Sequence, residues 1–405
     1  MTKQMHICLL TSGRVFELAY GGETRYTLSL GNWLAMRDHN VTLIGTGFAS
    51  IKAKSLSKFD VEENKKSKKI RVLYPPMSVY LLSRLVLSLI CICKILLINR
   101  KSPITLIHVQ ETGYCGLSAI VSGKLLRIPV IISSHGIRHK TLEPNIQSRL
   151  RKILLKVEYS LDIFTTKNAD KVIAVNSSIK KYYEQKISKK IDFIPVPIKV
   201  KDFEFSGVNR DLMRNELGIE DNKTKIIGYV GRFSSEKNLF TLLTSFVDVV
   251  QDNSLVKLVL VGTGPLEPQL REFVNKKGIE DKVIFCGVRY DIDRILAGFD
   301  IFALPSYTEG LSIALLEAMA SGRAIICSDI PANNVLVRHN QEALLVNPYN
   351  PQELTRAVQL LCSNDSLRLK LGYNAKIRSR QYDEDIVFPK ILQYYENLLY
   401  RKKNK

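Results

Sequence analysis

The sequence predicts an α/β protein made of two Rossmann-like domains facing across a cleft. Three observations predict it. Short apolar, β-branched runs of strand length recur along the 405 residues, separated by segments of helix length. That alternation is the signature of βαβ units and a parallel sheet. The runs are almost continuously apolar, as strands covered by helices on both faces must be. They also fall into two series, separated by a polar stretch from Lys199 to Asn222 that contains Gly207, Asn209, Gly218 and Asn222.

Taken in order, the first series is Ile7–Leu10, Val41–Ile44, Ile70–Leu73, Thr105–Val109, Val130–Ser133, Val172–Val175 and Phe193–Pro195. The second is Lys225–Val230, Lys257–Val261, Lys282–Phe285, Ile301–Leu304, Ala324–Cys327 and Ala343–Val346. This places an N-terminal domain at residues 1–200 and a C-terminal one at 201–382. The remainder, 383–405, carries Ile386, Ile391, Leu392, Tyr395, Leu398 and Leu399 at helical spacing. It is expected to pack back across the domain junction as a helix. Met5-His6-Ile7-Cys8-Leu9-Leu10 reads as a strand and is too short for the apolar region of a signal peptide. The apolar stretch Leu81–Ile98 is broken by Arg84 and Lys94. A spanning helix needs about 20 mainly apolar residues, so this stretch is expected to be a helix packed within its domain.

Composition removes whole classes. With 22 Gly, 14 Pro and 7 Cys, the chain is neither collagen-like, low-complexity nor a disulfide scaffold. The cysteines are scattered and mostly lie in apolar runs, as reduced, buried thiols of a cytosolic protein do. No CxxC occurs and the six histidines do not cluster with cysteine, so no zinc site is visible. Charge is lopsided. Residues 1–200 hold 32 basic and 13 acidic side chains, whereas 201–405 hold 27 and 26. A basic half implies an anionic partner: a membrane surface, a phosphorylated acceptor or nucleic acid. Two features sharpen this. One is the cluster Lys65, Lys66, Lys68, Lys69 and Arg71. The other is Arg149–Leu161, where Leu150, Ile153, Leu154, Val157 and Leu161 form a helical stripe among Arg149, Arg151, Lys152 and Lys156. Such a basic amphipathic helix suits either an anionic membrane or packing onto the sheet.

Ligands of parallel α/β sheets bind beyond the carboxyl ends of the strands. After the first strand comes Gly21-Gly22-Glu23 at a helix start, where paired glycines admit a phosphate to backbone N–H groups. Neither this nor Gly262-Thr263-Gly264-Pro265 is GxGxxG, which disfavours a nicotinamide dehydrogenase, and no P-loop occurs. His135 closes the fifth run and is placed to hydrogen-bond a substrate hydroxyl. Arg232 and Lys237 follow the strand Ile226–Val230, just before a helix starting near Asn238. Two cations beside a helix N-terminus suit a diphosphate. Glu309 precedes a helix that contains Glu317 eight residues on. That separation spans roughly 12 Å, about the distance from the sugar to the ribose of a nucleotide diphosphosugar. The N–H groups of Gly310, Leu311 and Ser312 lie between.

Gly231-Arg232 with Lys237, Gly262-Thr263-Gly264-Pro265, Phe285-Cys286-Gly287, and Glu309-x7-Glu317 followed by Ala318-Met319-Ala320-Ser321-Gly322 together resemble the group 1 (family 4) retaining glycosyltransferases of GT-B fold. Leu344-Leu345-Val346-x-Pro348 fits as well, while Ser328-Asp329-Ile330-Pro331-Ala332 stands where many relatives carry Gly-Gly-x-x-Glu. The resemblance implies a nucleotide diphosphosugar, a UDP-sugar before a GDP-sugar, as donor. It implies a glycan or lipid-linked acceptor at the cytosolic membrane face, as in cell-surface polysaccharide or lipopolysaccharide synthesis. By the same resemblance Arg232 and Lys237 neutralise the leaving diphosphate, Glu309 contacts the donor sugar and Glu317 the ribose. His135 contacts the sugar across the cleft, and Val288 and Arg289 touch the base. Gly21, Gly22, Gly262 and Gly264 line the donor site. The cations replace a metal, so no divalent ion is expected; Asp291-Ile292-Asp293 looks like a metal-binding DxD but is expected to favour a helix N-terminus instead. The competing readings are a nucleic-acid-binding protein, for which the chain lacks any binding motif, and a nucleotide-sugar epimerase or phosphorylase of similar fold.

Overall fold

Among the described residues, thirteen strands occupy the thirteen apolar runs. The computed structural model describes residues 4–11, 22–48, 67–74, 80–136, 149–204, 206–219, 221, 223–252 and 255–403. In the first unit the strands are β1 (His6–Leu10), β2 (Asn40–Phe48), β3 (Ser67–Tyr74), β4 (Leu106–Val109), β5 (Val130–Ser134), β6 (Lys171–Ala174) and β7 (Asp192–Phe193). They form one parallel sheet in the order β3-β2-β1-β4-β5-β6-β7. The second unit holds β8 (Lys225–Val230), β9 (Val256–Val261), β10 (Val283–Gly287), β11 (Ile301–Leu304), β12 (Ala324–Ser328) and β13 (Leu344–Val346). Its sheet is also all parallel, in the order β10-β9-β8-β11-β12-β13. Every residue of β1, β4, β5, β11 and β12 is buried, which is why their sequences do not alternate.

Two compact units emerge, one of residues Met1–Val196 with Val387–Lys405, the other Pro197–Ile386. The tail is the helix Glu384–Lys403, and its buried stripe is Val387, Phe388, Ile391 and Tyr395. Phe388 meets Trp33 edge-on at 5.6 Å and Tyr26 at 5.9 Å, and the Tyr395 hydroxyl lies 2.6 Å from His108 Nδ1. The first unit therefore completes its core with residues from the far end of the chain. Ile386, read as part of the apolar stripe, is 47% exposed.

The polar stretch after Lys199 is not a bare connector. It holds the helix Gly207–Glu216, capped by Ser206, whose Oγ accepts from the Asn209 N–H. Arg214 on this helix is 2% exposed. Its guanidinium donates to the carbonyls of Asp221 and Thr224 at 2.7 and 2.8 Å and to Asp300 Oδ2 at 3.3 Å. Asp300 in turn accepts from the Ile226 N–H, so one buried ion pair ties this helix to the start of β8. Beside this ion pair the stretch also buries Val200, Phe203, Met213 and Ile219.

Leu81–Ile98 lies within the helix Tyr80–Lys101, which buries Leu87, Cys91 and Ile95 at four-residue intervals, with Ser88 beside them. Among the described residues, no helix is long and apolar enough to cross a membrane.

Candidate active site

In each sheet the strand order reverses once: between β1 and β4 in the first unit, and between β8 and β11 in the second. These are the positions where an open parallel sheet leaves a crevice at its carboxyl edge. In the second unit the opening is visible in the ladder. β8 and β11 pair only at Ile227 with Ile301 and at Gly228 with Phe302.

The loop leaving β8 carries Arg232 and Lys237 and is held from several sides. The Tyr229 hydroxyl donates to the Arg232 carbonyl at 3.0 Å. Ser235–Lys237 form one 3-10 turn, and Asn238 takes a left-handed φ of 56° before the helix Leu239–Asp252 begins. The buried Asn238 side chain donates to the carbonyls of Pro305 and Pro348, which joins this loop to those after β11 and β13. The Tyr307 N–H donates to the Glu236 carbonyl at 2.9 Å.

Lys237 and Glu309, 72 residues apart, meet here: Nζ lies 2.8 Å from both carboxylate oxygens. Ser306 Oγ donates to the same carboxylate at 2.7 Å. The Glu309 side chain is 6% exposed and that of Lys237 21%. The two predicted roles, cation for the diphosphate and carboxylate for the sugar, are therefore joined in one ion pair. Arg232 is exposed and makes no side-chain hydrogen bond or ion pair among the described residues.

The helix after Glu309 is Ile313–Ala320. Ser312 caps it, its Oγ accepting from the Leu315 N–H at 3.3 Å. The hydroxyl of Ser312 is thus spent on the cap, and the N–H groups of Ile313 and Ala314 are left without an intrahelical acceptor. Glu317 lies inside this helix and is 2% exposed, a buried carboxylate rather than a surface charge.

The glycines of Gly262-Thr263-Gly264 have a steric reason. A Cβ on Gly262, whose φ is +132°, would lie 1.9 Å from the Gly231 carbonyl oxygen, and one on Gly264 would lie 2.3 Å from that of Phe233. The loops after β8 and β9 touch backbone to backbone, with the Phe233 N–H donating to the Thr263 carbonyl at 2.9 Å. Arg289, expected to touch the base, is committed elsewhere. It forks onto Asp291 at 2.9 and 2.7 Å and also pairs with Glu216, while Val288 is 45% exposed. Asp291 is the first carboxylate of the DxD look-alike. It occupies the N-cap of the helix Ile292–Gly298 without a side-chain cap bond; its charge goes to Arg289 and Arg294. Among the described residues no group of three His, Cys, Asp or Glu side chains is arranged for a metal.

In the first unit Gly22 opens the helix Gly22–Ala35; Gly21 lies outside the described residues, as do Lys65 and Lys66, while Lys68, Lys69 and Arg71 fall on β3. His135 follows β5, half-buried, with Nε2 3.3 Å from Gln110 Oε1 and its ring 4.9 Å from that of Tyr26. Burial pushes its pKa down to about 3, so the imidazole is neutral. Behind it His108, fully buried and likewise pushed down to about 3, bridges Tyr395 and Ser133 Oγ. Gln110, Ser306, Asn238 and the stacked, exposed pair Tyr307 and Tyr349 were not singled out from sequence. For Gln110 and Ser306 the signal was available: each stands within two residues of a strand's carboxyl end.

Two family models match. "Glycosyltransferase Family 4" covers residues 20–202 and "Glycosyl transferases group 1" covers residues 209–378, one for each sheet. The chain is 30% identical over 278 residues to the alpha-monoglucosyldiacylglycerol synthase of Streptococcus pneumoniae, a match spanning 65% of this chain and 60% of that protein. It is 28% identical over 268 residues to the UDP-Gal:alpha-D-GlcNAc-diphosphoundecaprenol alpha-1,3-galactosyltransferase of Escherichia coli, spanning 64% and 66%. The sucrose-phosphate synthase of Thermosynechococcus elongatus superposes with a TM-score of 0.80 at 21% identity, over 98% of this chain and 100% of that one. That likeness identifies the fold class as GT-B.

Proposed function

The chain belongs to the group 1 (family 4) glycosyltransferases, and from that premise we propose that it transfers a sugar, with retention, from a nucleotide diphosphosugar to a lipid-linked or glycan acceptor. The observation that carries this reading is the Lys237–Glu309 pair at the crevice of the second sheet, beside the exposed Arg232. An ammonium has three donors, and two Lys237 contacts end on Glu309, so its third remains for a phosphate oxygen. Arg232 supplies a forked donor set for the same diphosphate. As the glycosidic bond breaks, negative charge grows on the departing diphosphate. Fixed cations then hold it better than they hold the intact donor. Glu309, fixed by Lys237 and Ser306, is the acceptor for a hydroxyl of the donor sugar. The neutral His135 serves a sugar hydroxyl as a hydrogen-bonding partner rather than as a charge.

A UDP-sugar is the favoured donor. One relative's name specifies UDP-Gal and a diphosphoundecaprenol-linked sugar, and the other's name a glucosyldiacylglycerol. We take the reaction to be independent of divalent metal, because two cations flank the crevice and Asp291, the first carboxylate of the DxD look-alike, is engaged by Arg289. Activity retained in EDTA supports this; loss restored by Mn²⁺ contradicts it.

A peripheral site at the cytosolic membrane face has support in the first unit. The helix Arg149–Asn168 is turned inside out: Glu158, Asp162, Thr165 and Thr166 are buried, while Ile153 and Phe164 are 58% and 44% exposed. Lys152, Lys156 and Lys167 stand exposed beside them. The helix Gly113–Leu126 packs against both this helix and Tyr80–Lys101, and the three together expose Leu85, Leu89, Leu97 and Leu125 as well. Apolar side chains ringed by lysine suit an anionic lipid surface better than a nucleic acid.

The test is a donor screen with purified protein, UDP- and GDP-sugars, and diacylglycerol or undecaprenyl-diphosphate-linked sugar acceptors, following nucleotide release and product. Transfer with a UDP-sugar that falls about 10²–10³-fold in Arg232→Ala is the expected result. Folded protein that releases no nucleotide with any pair would overturn the reading.

A further inference from the structure

His135 is held by its own strand, by the ring of Tyr26 and by the side chain of Gln110. Its ring packs against Tyr26 at 4.9 Å, and its backbone leaves β5. Its Nε2 faces Gln110 Oε1 at 3.3 Å. Gln110 follows β4 at the point where the first sheet reverses its order, and its N–H donates to the Leu10 carbonyl on β1. Its side chain is fully buried, yet Nε2 of the amide has no hydrogen-bond partner. A buried amide placed for stability alone would have both ends satisfied. This one satisfies only the histidine.

We propose that Gln110 is the positioning residue of His135: its Oε1 accepts the Nε2–H and so fixes the neutral imidazole in one tautomer, leaving Nδ1 as the lone pair that receives a sugar hydroxyl. The inference rests on the glycosyltransferase reading above. A neutral imidazole has one donor and one acceptor nitrogen, and whichever partner one nitrogen takes decides the role of the other. His135 Nδ1 makes no hydrogen bond among the described residues. The strand before it is held as well, because His108 bonds Ser133 at 2.8 Å, two residues before His135. A hydroxyl can donate to Nδ1, so a polyhydroxyl ligand matches this acceptor and a fully ionised phosphate, which has no donor, does not.

The experiment reads the tautomer directly. ¹⁵N-histidine protein is studied by long-range ¹H–¹⁵N correlation NMR at neutral pH, with His135→Gln assigning the signal. Wild type should show His135 protonated at Nε2 only. Gln110→Leu, which removes the acceptor, should mix the two tautomers. Gln110→Glu, which keeps an oxygen at that place, should restore the Nε2–H. Turnover of UDP-glucose and UDP-galactose is measured in parallel. Gln110→Leu should lower kcat about tenfold, the worth of one misdirected hydrogen bond, with the KM for the nucleotide sugar little changed. A 3- or 4-deoxy donor, or a deoxy acceptor, that loses activity in wild type but not in Gln110→Leu identifies which sugar carries the hydroxyl. His135 protonated at Nδ1 in wild type, or a signal and kcat unmoved in Gln110→Leu, overturns the proposal. If no donor turns over, the enzymatic reading fails, while the tautomer result still decides whether Gln110 orients His135.

Discussion

Replacing Lys237 with alanine should cost stability as well as turnover. Glu309 is 6% exposed and receives Lys237 through both oxygens at 2.8 Å, with Ser306 Oγ as the remaining donor. Removing the ammonium leaves a nearly buried carboxylate with one neutral hydrogen bond. Breaking a fully buried ion pair costs about 3–5 kcal/mol. Lys237 keeps 21% of its side-chain exposure, so water reaches the gap and the expected loss is about 2–3 kcal/mol. For a unit spanning Pro197–Ile386, that is a drop of roughly 5–10 °C in Tm. The assay is scanning calorimetry beside tryptophan fluorescence. Trp33, the sole tryptophan, lies in the first unit, so fluorescence follows that unit and the calorimetric change without a fluorescence counterpart belongs to the second. Lys237→Ala/Glu309→Gln should recover most of the lost stability and none of the activity. Arg232→Ala should melt with wild type. A Lys237→Ala protein that melts with wild type, or a double variant as unstable as the single one, would refute this account of the site.

Four further outcomes are expected. Tyr395→Phe leaves His108 Nδ1 buried without its 2.6 Å partner, and should cost the first unit about 1–3 kcal/mol, read as a lower urea midpoint of Trp33 fluorescence; an unchanged midpoint counts against the contact. Acidification should weaken the same unit. His108 and His135 titrate at about 3 when folded, against an ordinary value of 6.5, so the unfolded chain takes up protons first as pH falls below 6.5. Stability, complete above that value, declines by about 1.4 kcal/mol per pH unit for each histidine, and a midpoint constant from neutral pH to about pH 5.5 would contradict it. Gly262→Ala drives a Cβ to 1.9 Å from the Gly231 carbonyl oxygen and should destabilise the second unit by about 1–3 kcal/mol or more, seen as a lower calorimetric Tm. Ile153→Glu with Phe164→Glu should abolish flotation with anionic liposomes and leave binding of UDP unchanged; flotation equal to wild type would remove the membrane face from that helix.

The fold was legible because burial on both faces writes each central strand as an unbroken apolar run, and β1, β5 and β12 stand where those runs do. Edges were less sharp. β7 stops at Phe193 although the apolar run continues, because the prolines that follow, Pro195 and Pro197, have no N–H for a ladder. The site residues were legible singly, since each follows a strand, but their pairing was not. Lys237 and Glu309 are joined by tertiary structure across 72 residues, so no local pattern signals that one neutralises the other. Arg289 was placed toward the base by the family resemblance alone; in the fold it forks onto Asp291. The stripe on Arg149–Leu161 left both directions open, toward a membrane or onto the sheet. Periodicity is the same whichever face is buried, and here Asp162 points inward because the Tyr183 hydroxyl donates to it at 2.8 Å.

The helix Glu384–Lys403 has a consequence for how the chain is made. Phe388, Ile391 and Tyr395 close the core over Trp33, Tyr26 and His108, yet they leave the ribosome only after all of Pro197–Ile386. At about 5–20 residues per second, the nascent first sheet waits roughly 10–40 s with that apolar floor uncovered. During this interval its apolar surface is open to water, and the second unit must fold beside an unfinished neighbour. A message broken anywhere before the codon for Val387 yields a product whose floor is never covered. Proteases that survey exposed apolar surface can therefore recognise a chain that lacks this helix.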